Sequence, residues 1–72
     1  MNKEEFLTQM QDVLQTDEEL TFDTVLDDLA EWDSLSVMAT MAFLDKEFGV
    51  KTTMKDFRDV KTIADLAAKA GL

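Results

Sequence analysis

Asp33, Ser34 and Ser36 stand where the longest apolar-rich segment of this sequence begins, and an alcohol at such a place could be esterified. The Asp33 carboxylate is spaced to accept a hydrogen bond from the exposed amide of Ser36, the pattern of a helix N-cap. Ser34 would then be the first helical residue, its hydroxyl among unpaired backbone amides at the positive end of the helix dipole, where a phosphate ester is electrostatically favoured. Asp-Ser is also an ordinary way to start a helix, so position alone fits a capping serine as well as a modified one.

Other chemistry is closed off by what is missing. The chain has no His and no Cys, so it can build neither a Ser-His-Asp nor a Cys-His nucleophile, nor a His/Cys zinc site. Its only glycines, Gly49 and Gly71, cannot make a phosphate-cradling loop. Paired carboxylates remain, but 72 residues hardly enclose a water-excluded cleft around a substrate, so no independent enzymatic activity is expected. The acidic groups Asp17-Glu18-Glu19 and Asp27, Asp28, Glu31 and Asp33 lack the ligand spacing and glycine of a calcium loop and read as solvated charge, with no metal site.

The elements that must position Ser34 follow from capping signals and periodicity. Asn2 with Glu5, then Phe6, Met10, Val13 and Leu14, predict a first helix over residues 3–15. The second helix spans 34–48 and stops at Gly49. Thr53 with Asp56 opens a short third helix over 54–60, and Thr62 with Asp65 opens a fourth over 63–70, ending at Gly71. Residues 16–33 form a long connection with room for a turn or two of helix, held down by Leu20, Phe22, Val25 and Leu29. No segment alternates as a strand. The expectation is one all-α domain over 1–72, a four-helix bundle with a long loop between helices one and two and a short third helix.

Helix two has two apolar stripes. Val37, Met41, Leu44 and Phe48 have the spacing of a buried face and are assigned to the core. Leu35, Met38 and Ala42 lie on a neighbouring face that begins beside Ser34; they fit either more core or an exposed docking surface, for which adaptable methionine is suited. Trp32 fits a half-buried aromatic that packs the loop onto the helix, and also a partner contact.

Taken together, Trp32-Asp33-Ser34-Leu35 opening a long helix, Glu47-Phe48-Gly49-Val50 closing it and Thr62-Ile63-Ala64-Asp65-Leu66 opening the last one resemble the acyl carrier and peptidyl carrier proteins. The resemblance covers nearly the whole chain. It implies that a phosphopantetheinyl transferase moves 4'-phosphopantetheine from coenzyme A onto Ser34, that Asp33 is the flanking acid, and that Leu35, Met38 and Ala42 match exposed recognition positions. The arm's thiol would hold acyl or aminoacyl groups handed on by activating and transferring enzymes. An apolar cleft between helices two and three would suit short chains. Two departures bear on the pathway. Ser36, Ala39 and Lys46 stand where carriers of fatty-acid synthesis usually place acids on the outer face, and Glu31-Trp32 replaces the familiar Gly-Ala or Gly-Gly, as in specialised or aminoacyl carriers.

The expected function is a free-standing acyl or aminoacyl carrier for a specialised pathway. The rival reading is an unmodified acidic helical adaptor, in which Ser34 is only a cap. Sixteen acidic against seven basic residues, net charge -9, disfavour nucleic acid and anionic membranes and favour partners with basic surfaces. With no leader pattern and no membrane-length apolar run, a cytoplasmic monomer is expected. The excess charge also predicts that added salt or millimolar magnesium raises the melting temperature by screening self-repulsion; a thermal melt across a salt series would show no rise if the charges were already well spread.

Overall fold

The computed structural model describes all of residues 1–72. Three α-helices carry the fold: α1 (Lys3–Leu14), α2 (Ser34–Phe48) and α3 (Ile63–Ala70). Two short 3-10 turns, Leu26–Asp28 and Met54–Phe57, lie in the connections. The expected short third helix is not α-helical, which leaves three α-helices rather than four: the segment 54–60 closes as a single 3-10 turn at Met54–Phe57. Asp56 accepts from the Thr53 amide at 2.7 Å, but Phe57 and Val60 both turn inward within seven residues, and the chain bends to bury them rather than winding on. Propensity proposes a helix here, and packing overrides it.

Each α-helix starts where a side chain satisfies its free amides. In α1 the Glu5 amide donates to Asn2 Oδ1 at 2.8 Å while Glu5 Oε1 accepts from the Asn2 amide at 3.2 Å, the reciprocal capping box. It ends one residue sooner than periodicity suggests, because Gln15 turns into the left-handed region at φ 54°. Helices α2 and α3 end on Gly49 (φ 67°) and Gly71 (φ 86°), where the missing Cβ makes that conformation cheap.

The core forms where one face of each element meets the others. Phe6, Met10 and Leu14 present the buried edge of α1, and Ile63, Leu66 and Ala67 that of α3. Phe6 lies 6.0 Å from the Phe43 ring and 6.1 Å from Phe48, and Phe43 meets Phe48 edge-on at 5.9 Å, so three aromatics bind the start of α1 to the second half of α2. The buried face of α2 is rotated from the one assigned by apolar spacing. Val37 and Leu44 are core as expected, whereas Met41 and Phe48 are only partly buried, and Ser36, Thr40 and Phe43 take their places. Thr40 can lie there because its hydroxyl donates to the Ser36 carbonyl at 2.8 Å and so is not left unpaired. Each fully buried Leu, Ile, Phe or Met contributes about 1.5–3 kcal/mol relative to exposure, so this small set dominates stability.

The long connection is ordered by both anchoring and pairing. Leu20, Leu26 and Leu29 are buried and Phe22 is partly so, but Val25 is 41% exposed and anchors nothing through its side chain. Its backbone instead makes an antiparallel bridge with Thr62. The Leu26 amide donates to the Lys61 carbonyl (2.8 Å), the Ile63 amide to Thr24 (3.1 Å) and the Ala64 amide to Phe22 (3.0 Å). These bonds strap the loop before α2 to the first turn of α3.

The strap is held at its other end by Asp65. Its carboxylate accepts from the amides of Lys61 (2.9 Å) and Thr62 (3.1 Å). These bonds, the one from Lys61 first, hold its acid below the ordinary 3.8. A carboxyl with a depressed native pKa stabilises the fold at pH above its unfolded value, and that contribution is lost as pH falls through the native pKa. Acid titration of the unfolding free energy should therefore show a loss below about pH 4 that is reduced in Asp65→Asn; an unchanged acid limb would show that this carboxylate does not couple to folding.

Candidate functional site

The first turn of α2 separates two serines into different roles. Asp33, extended at φ -142° and ψ -172°, caps the helix: the Ser36 amide donates to its Oδ1 at 2.9 Å. Ser36 answers by accepting from the Asp33 amide at 2.8 Å, and its own hydroxyl donates to the Asp33 carbonyl at 2.9 Å. Ser36 is buried by these bonds, 7% exposed, so it belongs to the cap and not to the outer face assigned to it by the resemblance. Ser34, two residues earlier, is exposed and takes no part in the cap. A single exposed alcohol at the head of a fifteen-residue helix is what this arrangement offers to chemistry.

The electrostatics suit a phosphate there. The cap consumes the Ser36 amide and the Val37 amide closes onto the Asp33 carbonyl at 2.9 Å, which leaves the Ser34 and Leu35 amides without helical partners. Partial positive charge from those amides and from the dipole of α2 favours an anionic ester on Ser34. The free hydroxyl and free amides fit a phosphodiester-linked arm.

The residues named beside Ser34 are brought to one side. Leu35 is 74% exposed and Met38 58%, and Ala42 is exposed as well, so the second apolar stripe of α2 is surface and not core. Met54, half-exposed on the 3-10 turn, adds a further apolar side chain to the surface. Ala39 and Lys46 are exposed, as expected for outer positions. Trp32 is half-buried and lies 6.5 Å from Phe57, so it fastens the residues before Ser34 to the second 3-10 turn. Asp33 stays exposed while its side chain serves the cap.

Two grooves flank α2. One of about 370 Å³ lies between the end of α1 and the start of α2, with Val13, Leu14, Leu35 and Ala39 along it and Glu31 and Asp33 among its polar lining. Spacing gave no sign of it, since it depends on how the end of α1 meets the cap of α2. The other, about 310 Å³, lies against the residues that follow α2 and is lined by Met41, Ala42, Asp45, Lys51 and Thr52. This second groove stands where a cleft between helices two and three was expected, but it is shallow and polar at one end, with the Asp45 and Lys51 side chains 3.7 Å apart. No helix is long and apolar enough to cross a membrane.

Comparison with known families gives one clear answer. Residues 4–69 match the family described as the phosphopantetheine attachment site, a span that takes in all three α-helices but the ends of the first and last. No curated protein and no solved structure matches the chain. Domains of this family are not themselves catalytic and act with phosphopantetheinyl transferases and acyl-handling enzymes. With a match over nearly its whole length and an exposed alcohol at a favourable helix start, the chain belongs to the phosphopantetheine attachment site family of carrier proteins, whose prosthetic group is covalent 4'-phosphopantetheine.

Proposed function

We propose that Ser34 is the attachment point and that the protein is a carrier of acyl or aminoacyl groups in a specialised cytoplasmic pathway rather than in bulk fatty-acid synthesis. The observation that carries this reading is the division of labour between the two serines: Ser36 closes the cap, and Ser34 is left exposed. A hydroxyl held by the cap would have to break its bonds before reacting; Ser34 has none of those bonds to break. The arm supplies a thiol that holds cargo as a thioester and lets it visit several active sites without release.

The chain's own residues do the rest. The Ser34 and Leu35 amides and the dipole of α2 stabilise the phosphodiester. Leu35, Met38 and Ala42 form the docking face for the transferase and for loading and unloading enzymes, Trp32 holds the approach to Ser34 in place, and Asp33 fixes the helix start through the cap and adds negative charge for basic partners. The specialised pathway is supported by the exposed outer face, where Ala39 and Lys46 present no acid to partners that read an acidic helix.

Incubation with coenzyme A and a broad-specificity phosphopantetheinyl transferase, followed by intact-mass measurement, should show one phosphopantetheine added, and none in a folded Ser34→Ala. Either of two outcomes would refute the assignment: addition to that variant would put the arm on another residue, and no addition to the natural chain would leave an unmodified adaptor. A second expectation concerns docking: Leu35→Asp should slow the transferase reaction by about tenfold. Because Leu35 is 74% exposed, its melting temperature should barely move, and an unchanged modification rate would remove Leu35 from the interface.

A further inference from the structure

The five methionines of this chain carry its only sulfur atoms, and the fold divides them by access to solvent. With no cysteine to take an oxidant first, peroxide chemistry on the unmodified chain falls on thioethers. Met10 is fully buried and Met41 half-buried, whereas Met38 is the most exposed of the five at 58%, ahead of Met54 at 50% and Met1 at 44%. Three thioethers are therefore open to a small peroxide and two are protected.

Position singles out Met38 among the open three. It follows Ser34 by four positions on α2, which at helical geometry places it about 40° around the axis and about 6 Å along it from the alcohol. It stands between Leu35 and Ala42 on the exposed apolar stripe. One added oxygen turns this apolar side chain into a polar one. In the free chain that oxygen is hydrated and the fold is left intact, because the side chain already faces water. Covered by a partner, the same oxygen lies against apolar atoms, where an acceptor without a donor is costly. Oxidation at Met38 thus acts on docking and not on folding; at Met10 it would break the core instead.

We propose that Met38 is a reversible oxidation site, and that its conversion to the sulfoxide by a peroxide turns down recognition of Ser34 by the transferase. This rests on attachment at Ser34 and on the exposed face of α2 as the docking surface. The thioether lone pair attacks one peroxide oxygen, and the O–O bond breaks as the S–O bond forms. The departing oxygen takes the proton of the transferred one and leaves as water, or as an alcohol when the oxidant is an organic hydroperoxide. Sulfur gives up two electrons and the peroxide receives them. A dithiol-dependent sulfoxide reductase reverses the step, restoring the thioether and releasing water and a disulfide. The docking face then carries a mark separate from the arm.

The test uses the full chain before modification, which holds no thiol to compete for the oxidant. Limited hydrogen peroxide followed by peptide mass mapping should place oxygen on Met38, Met54 and Met1 before Met41 and Met10. Once the peroxide is removed, the Met38 sulfoxide form should accept phosphopantetheine from coenzyme A about tenfold more slowly, read by intact mass, while its melting temperature barely moves. Met38→Leu, compared with itself before and after peroxide, should show no slowing, and Met54→Leu should keep the slowing. A methionine sulfoxide reductase with dithiothreitol should restore the rate. Oxygen that reaches Met38 no sooner than Met10, an unchanged rate in the Met38 sulfoxide form, or slowing that persists in Met38→Leu overturns the proposal; if the unoxidised chain still takes one arm and Ser34→Ala takes none, attachment at Ser34 stands. An unoxidised chain that takes no arm, or a Ser34→Ala chain that takes one, overturns both.

Discussion

Three hydrogen bonds between Asp33 and Ser36 fix where α2 begins, and the candidate chemistry of the protein follows from that point. They set the extended backbone of Asp33, turn the Ser36 side chain inward and leave Ser34 as the first helical residue with its hydroxyl outside. A cap one residue later would make Ser34 the N-cap and draw its hydroxyl into the cap bonds. Packing on α1 then buries the face that carries Val37, Thr40 and Leu44 and leaves Leu35, Met38 and Ala42 exposed beside Ser34.

The rest of the fold keeps that helix in place with few residues. Phe6, Phe43 and Phe48 hold the far half of α2 against α1, while Trp32 on Phe57 holds its near end against the second 3-10 turn. The strap between residues 22–26 and 61–64, tightened by the Asp65 carboxylate, ties the connection before α2 to α3. A domain of this size has little stability to spare, and backbone pairing across a long connection offsets loop entropy without a larger core.

Much of this was legible in the sequence because capping is local. Asn2 with Glu5, Asp33 with Ser36 and Thr62 with Asp65 all mark true helix starts, and Gly49 and Gly71 true ends. What escaped depends on tertiary contacts. The 54–60 segment carries a helix signal that loses to the inward turn of Phe57 and Val60. The buried face of α2 was misplaced because Ser36 and Thr40 are polar, and only their backbone bonds show why they can be inside. The strap was invisible since Val25 and Thr62 pair through main-chain atoms that carry no side-chain signature. Whether Leu35, Met38 and Ala42 are core or surface could not be read from spacing, as both choices give the same period; the packing of α2 leaves them exposed.

The single tryptophan of the chain stands two residues before Ser34, half-buried against a ring on a different element. Indole emission depends on solvent access and on neighbouring groups, so the molecule contains a native optical gauge mounted at the doorway to its own alcohol. Movements of the second 3-10 turn relative to the head of α2 alter the surroundings of that ring directly, and no dye has to be attached to watch them.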